Sequence, residues 1–169
     1  MQIYADRLAD QLQRDLRALY TVWGDEPLLA QEAADAIRAA ARALRMLDGL
    51  RSEGEAAVLV HWTLAEDIRG LKRVKDALGA GKPLPLALRE ARVWGAKERV
   101  FERAVTLMSE STLDHLLDAA HVCDGLMKGL KHPDWPLDPW EALKRLVLLL
   151  AEQTARVGTK PIARMALTA

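Results

Sequence analysis

The fold is decided by the stretch from Ser111 to Leu130, which reads S-T-L-D-H-L-L-D-A-A-H-V-C-D-G-L-M-K-G-L. Ser111 followed by Asp114 has the spacing of a helix start, because both side chains can accept backbone N–H groups there. Apolar residues then recur every three or four positions, as they do on one face of a helix. The residues predicted to face inward are Leu113, Leu116, Leu117, Ala120, Cys123, Met127 and Leu130. A helix with such a face needs other helices to cover it.

The composition of the whole chain favours the same class of structure. Hydrophobic residues make up 50% of the 169 residues and charged residues 28%, which excludes a disordered or collagen-like chain. Only 5% of the residues are aromatic. The commonest residue types in the chain, Ala, Leu and Arg, are strong helix formers. We therefore predict a mainly all-α protein whose length suits one ordinary domain.

Helix signals continue towards the N-terminus. One apolar stripe comprises Ala39, Ala43, Met46, Leu47 and Leu50, and a second comprises Val60, Leu64, either Ile68 or Leu71, Val74 and Leu78. Between them, Ser52 and Glu55 have capping-box spacing and predict the start of the second helix. Gly79 is placed to end that helix.

Further helices are predicted towards the C-terminus. A short helix is expected from about Leu84, and another after Gly95. The run Asp138-Pro139-Trp140-Glu141 predicts a strong restart, with an acid at the N-cap and proline at the first helical position. Beyond Gly158 the sequence has no clear period, so we expect a frayed tail.

The first 40 residues are predicted to differ from the rest. Leu8, Leu12 and Leu16 have helical spacing, and the run 19–23 (L-Y-T-V-W) is β-prone. Gly24 to Pro27 forms a turn signal in which Asp25 caps the next helix. The expected order is helix, strand, helix, although a lone strand lacks neighbours for its backbone groups.

Charge and cysteine content restrict the location and the partners. Lys and Arg together number 24, as do Asp and Glu, so no global positive charge drives binding to nucleic acid. The single cysteine, Cys123, suits a reducing compartment. Neither a secretory leader within residues 1–10 nor a membrane-spanning run is visible in the sequence. We expect a soluble cytoplasmic protein with no membrane partner.

No pattern of catalytic or metal-binding residues is visible. The run 79–82 (G-A-G-K) lacks the spacing and the hydroxyl of a phosphate loop, and prolines follow it. His115, His121 and Cys123 would point in three directions from one helix, which excludes a shared tetrahedral site. We therefore expect no catalytic, cofactor-binding or metal-binding residues and no cofactor.

The most suggestive stretch is 89–99, R-E-A-R-V-W-G-A-K-E-R. Its candidate partner-contact residues are Arg89, Arg92, Trp94, Lys97 and Arg99. Bases around an aromatic side chain suit a surface that contacts a partner protein or a nucleic-acid backbone. The alternative interpretation is a corner between helices in which Trp94 fills the core and the arginines are solvated.

Three pieces of the sequence together resemble a known family. They are G-D-E-P-L-L at 24–29 after the β-prone run, L-R-S-E-G-E at 50–55 leading into a long helix, and R-V-W at 92–94. In this order they are similar to the delta subunit of the bacterial DNA polymerase III clamp loader. The resemblance implies a remnant of an α/β AAA+ domain over 1–40 and a helical collar-like domain over 41–169.

The resemblance also implies a role in DNA replication and a set of partners. Delta-like chains would assemble with the tau/gamma and delta-prime subunits, inside a DNA-directed DNA polymerase holoenzyme whose catalysis resides elsewhere. Here residues 33–43 directly join two segments that the family separates by more than a domain. The clamp-binding element belongs to the missing part, so no residue of this chain inherits its role. Two alternatives stay open, namely a stand-alone helical scaffold and a weak DNA-binding module using 89–103.

Overall fold

Every regular element of the structure, a computed structural model that describes residues 3–14, 16–23 and 26–155, is a helix. This confirms the mainly all-α prediction. A 3₁₀ turn over Ala5–Arg7 precedes α1. The α-helices are α1 (Leu8–Arg14), α2 (Pro27–Ser52), α3 (Ala57–Gly79), α4 (Leu84–Glu90), α5 (Ala96–Leu107), α6 (Glu110–Met127) and α7 (Pro139–Ala155).

The β-prone run at 19–23 does not form a strand, so the predicted strand is wrong. Within the described part of the chain no segment forms a strand, so the backbone groups of this run have no strand edge to pair with. The side chains of Leu19 and Trp23 are largely exposed. The predicted turn at Gly24 and the cap at Asp25 lie outside the described residues, as does the tail beyond Gly158.

Two predicted helix boundaries are confirmed by their hydrogen bonds. Asp138 caps α7, because its Oδ1 accepts the backbone N–H groups of Trp140 at 2.9 Å and Glu141 at 3.0 Å. Helix α3 ends at Gly79, and the backbone N–H of Lys82 returns to the carbonyl of Ala77. Both boundaries satisfy backbone groups that a helix end leaves unpaired.

Two other predicted caps are wrong. Helix α6 starts two residues early, because the Oγ of Ser109 rather than Ser111 accepts the N–H of Thr112, at 3.1 Å. Ser52 does not open α3 but ends α2, where its hydroxyl donates to the carbonyl of Gly49. Serine hydroxyls can pair with backbone at either end of a helix, so spacing alone does not decide between these roles.

The main hydrophobic core lies between α3, α6 and α7. Ile68, Leu113, Leu143 and Leu146 are almost completely buried there, and α4, α5 and the end of α2 cover its edges. His61 also lies inside, and its Nε2–H donates to the carbonyl of Ala120 at 2.9 Å. This bond ties α3 to α6 at a buried position, where an unpaired imidazole would be costly.

A second, smaller core joins the N-terminal region to the bundle. It comprises Leu12 of α1, Ala40 and Leu44 of α2, and Leu148 of α7. Helix α2 continues unbroken through residues 40 and 41, where the sequence analysis places a domain boundary. It contributes to both cores, with Leu47 in the larger one.

Part of the predicted apolar stripes is displaced. On α2, Met46 and Leu50 are exposed, and the buried positions are Ala40, Leu44 and Leu47. On α6, Leu130 is exposed because the helix ends at Met127 and the chain turns at Gly129 with a φ of 83°. When the apolar residues of a helix cover a broad face, their spacing alone does not decide which side of that face packs against the core.

None of the helices in the described ranges is both long enough and apolar enough to cross a bilayer.

Candidate functional site

The turn after α4 places the candidate contact residues on the surface. The backbone N–H of Val93 donates to the carbonyl of Leu88 at 3.0 Å, and that of Arg92 to the carbonyl of Arg89 at 3.1 Å. This pair of bonds is the Schellman ending of a helix, with the apolar contact between Val93 and Leu88 inside the core. Arg92 occupies the left-handed position with a φ of 58°, which glycine usually fills.

A second local structure follows immediately and opens α5. Gly95 has φ 63° and ψ −129°, a conformation that side chains resist. Its N–H donates to Oε1 of Glu98 at 3.0 Å, and the N–H of Glu98 returns to its carbonyl at 3.1 Å. Trp94 is therefore held between a helix end and a helix start, and its side chain is 59% exposed.

Three contacts fix α5 alongside α3. Lys97 Nζ lies 2.7 Å from Asp67 Oδ1, the Phe101 ring packs against Gly70, and Lys75 Nζ donates to the carbonyl of Val105 at 2.8 Å. The residue numbers on α3 and on α5 increase together from one pair to the next, so the two helices run parallel. Both members of the Lys97–Asp67 pair are about half exposed, so it contributes less than about 1 kcal/mol and serves mainly as a marker of register.

The structure brings all five predicted contact residues to one corner. Arg89, Arg92, Lys97 and Arg99 are exposed, as both sequence interpretations expect. The two interpretations differ in where they place Trp94. In the structure Val93 is buried in the core, whereas Trp94 is exposed. The interpretation in which Trp94 fills the core is therefore wrong.

The acidic residues of this corner are engaged elsewhere. Glu90 pairs with Lys82 at 2.7 Å, and Glu98 caps α5. Within the described residues, no ion pair is formed by Arg89, Arg92 or Arg99. The guanidinium groups of these three arginines are therefore available to contact a partner.

Several exposed apolar side chains on α3 and α5 were not predicted from the sequence. Val58, Leu59 and Trp62 are exposed on the first turns of α3, and Val100 is exposed on α5. We use the name α3–α5 face for the exposed apolar side chains of these two helices and of the turn before α5, namely Val58, Leu59, Trp62, Trp94 and Val100. The sequence signal that could have revealed the exposed part of α3 is that Val58, Leu59 and Trp62 do not belong to the apolar stripe that faces the core.

The other sequence candidates lie apart. His115 and His121 are exposed, while Cys123 is completely buried. Burial raises the pKa of the Cys123 thiol to about 12, so it stays protonated and unreactive at neutral pH. In the described residues no three His, Cys, Asp or Glu side chains come together as metal ligands.

Comparison with known protein families, with curated proteins and with solved structures found no significant match to this chain.

Proposed function

We propose that this protein is a helical assembly module that binds a partner protein through the α3–α5 face. In its specific form, the proposal is a delta-like component of a cytoplasmic clamp loader that contributes to DNA replication. The partners would then be the tau/gamma and delta-prime subunits, and polymerisation would be catalysed by other subunits. The observation that carries the general proposal is the exposure of Trp62 and Trp94, at 63% and 59%, together with the exposure of Arg89, Arg92 and Arg99.

The composition of this face supports protein binding. Exposed apolar patches with a polar rim mark interaction surfaces on proteins that otherwise bury such side chains. Tryptophan and arginine are the residues most enriched among those that dominate binding energy. Arg92 adds a further indication, because it occupies a left-handed turn position that strains a non-glycine residue, and such strained residues cluster at functional sites.

The specific proposal rests on the resemblance of the sequence and on the helical class of the fold. An oligomerising collar needs helices with one face left uncovered, and the α3–α5 face provides such a surface. Without the clamp-binding element, assembly is the function that a delta-like chain of this kind could retain.

Co-sedimentation by analytical ultracentrifugation tests the proposal. We expect the chain to form a complex with tau/gamma and delta-prime, and Trp62→Ser with Trp94→Ser to weaken it at least tenfold. Trp23→Ser is the matched control, because Trp23 is also exposed, at 75%, but lies far from this face in sequence and outside every helix of the described residues. Equal loss with the control variant, or no complex at all, would count against the specific proposal.

Direct DNA binding is the second candidate, favoured by the unpaired arginines. It predicts affinity that falls steeply with salt and a smaller salt slope when Arg89, Arg92 and Arg99 are neutralised. A stand-alone scaffold predicts neither complex formation nor salt-dependent binding, and a monomer at every concentration tested.

A further inference from the structure

One side of α5 is left uncovered by the residues that the structure describes. Ala96, Val100, Arg103 and Leu107 lie along it, and all four are exposed. Their intervals of four, three and four residues are the repeat with which a helix faces a second helix in a coiled coil. We call these four positions the α5 seam.

The buried side of α5 is separate from the α5 seam. Phe101, Ala104 and Val105 are buried in the main core, and Lys97 pairs with Asp67 of α3. The α5 seam therefore faces solvent along a helix of 12 residues. A helix of this length extends about 18 Å, which is enough for three turns of a second helix to pack on it.

Apolar side chains occupy two seam positions that are one heptad apart. Val100 is 64% exposed and Leu107 is 38% exposed. Trp94, which is also exposed, lies just before the helix. Apolar side chains at helical spacing are the anchors by which amphipathic helices are recognised. Their exposure therefore favours a helix as the occupant of this side of α5.

The charged side chains at the α5 seam are basic. Arg103 lies within it and Arg99 lies beside it, and neither forms an ion pair within the described residues. Glu102 lies on the opposite side of α5 from Val100, since two residues turn a helix by about 200°. Glu98 is engaged in the cap of α5. Charge complementarity therefore favours acidic side chains on the occupant.

We propose that this side of α5 binds an acidic amphipathic helix of a partner protein. The inference rests on the partner-binding role proposed for the α3–α5 face, to which Val100 belongs, and it specifies the chemistry of the partner. Apolar side chains of the incoming helix lie against Val100 and Leu107, and its carboxylates pair with Arg99 and Arg103. An arginine at a heptad core position costs stability with most helices, so it selects a partner that supplies an acid there.

A nucleic-acid backbone fits this side of α5 less well. Phosphates would pair with Arg99 and Arg103 but carry no apolar group to cover Val100 and Leu107.

Fluorescence anisotropy of the full chain with two labelled peptides tests the proposal. Both peptides have leucine at heptad positions a and d; one has glutamate at e and g, and the other has lysine there. We expect the glutamate peptide to bind at least about tenfold more tightly at low salt, with a difference that shrinks as salt is added. Equal binding, or no binding of the glutamate peptide, would overturn the proposal. A DNA duplex that displaces this peptide and binds more tightly would also overturn it.

Two double variants assign the binding to the α5 seam. Arg99→Glu with Arg103→Glu should invert the preference, so that the lysine peptide binds more tightly. Val100→Ser with Leu107→Ser should weaken binding of both peptides about tenfold or more, with circular dichroism verifying that the helices are kept. A charge reversal that leaves the preference for the glutamate peptide unchanged would refute the proposal.

Arg42→Glu with Arg45→Glu is the matched control. It makes the same change of charge at exposed positions of α2, where neither arginine forms an ion pair within the described residues. The preference should stay unchanged, and an inversion would show that net charge rather than the α5 seam governs binding. A complex with tau/gamma and delta-prime that tolerates Arg99→Glu with Arg103→Glu but is lost in the tryptophan variants would refute this inference while supporting the proposed function.

Discussion

The Phe101 ring lies directly over the Cα atom of Gly70. A Cβ atom added at residue 70 would lie 3.0 Å from Phe101 Cε1 and 3.3 Å from Cζ. Both residues are buried, so the ring has little room to withdraw. The absence of a side chain at residue 70 is therefore what lets α5 approach α3 closely.

Gly70→Ala should destabilise the protein even though alanine favours helices. The propensity gain of about 1 kcal/mol is outweighed by overpacking, which costs about 1–3 kcal/mol. We expect a net loss of about 1 kcal/mol in urea unfolding. Gly49→Ala is the control, because nothing lies within 4 Å of the added Cβ, and it should stabilise by about 0.5–1 kcal/mol. If both variants gain stability, the close approach of α5 to α3 is not limiting.

Arg92→Gly should raise the free energy of unfolding and weaken partner binding at the same time. A left-handed conformation costs a non-glycine residue about 1–2 kcal/mol, part of which the greater freedom of an unfolded glycine cancels. A net gain of about 0.5 kcal/mol is expected from thermal unfolding. Arg99→Gly removes the same charge from within α5 and should instead lose about 1 kcal/mol. Weaker binding with higher stability would separate a functional role for Arg92 from a structural one.

Replacing Glu32 by leucine should stabilise the protein. The change removes a carboxylate oxygen that is buried without a hydrogen-bond donor among the described residues, which is worth about 1–3 kcal/mol, and adds apolar contact with nearby leucine and alanine side chains. Chemical denaturation should show a higher midpoint than the parent chain. Glu26→Leu is a suitable comparison, because Glu26 is exposed just before α2; a similar gain there would show that the orphaned oxygen is not the cause.

Cys123 should make stability fall at high pH. Burial raises the pKa of its thiol from 9.0 to about 12, so between these values the unfolded chain loses the proton while the folded chain keeps it. The unfolded state then binds fewer protons, and the free energy of unfolding decreases as pH rises from about 9 to about 12. Cys123→Ala should show a shallower decrease in urea titrations at pH 8, 9.5 and 10.5. Identical slopes would mean that the thiol titrates normally in the folded state.

Thiol modification offers a separate check on the same residue. At pH 8 the native protein should react with a disulfide reagent only as fast as it opens, and urea should restore rapid reaction. Rapid labelling of the native protein would contradict the burial of Cys123.

The sequence predicts helices well where local chemistry is strong. Asp138 followed by Pro139 specifies the start of α7, because cap and proline act within one turn. The prediction fails where contacts between distant segments determine the local structure or the buried face. The run at 19–23 has β-prone residues but no partner strand, and Met46 lies on the exposed edge of α2 because α7 covers the neighbouring stripe. Such outcomes depend on residues distant in sequence.

The candidate site was predicted only in part for the same reason. The basic residues at 89–99 were visible as a cluster, and their exposure agrees with the pattern. The exposure of Trp62 was not predicted, because it depends on which helices cover α3, and those helices are distant in sequence.

All five tryptophans, at positions 23, 62, 94, 135 and 140, are at least partly exposed in the folded chain. The indoles of Trp23, Trp62 and Trp94 should therefore already emit at long wavelength in the native state. Trp135 and Trp140 pack against the main core, so their emission should shift to the red when the chain unfolds. Docking of a partner over Trp62 and Trp94 would shift the emission towards the blue, so one fluorophore distinguishes complex formation from unfolding by the sign of its shift.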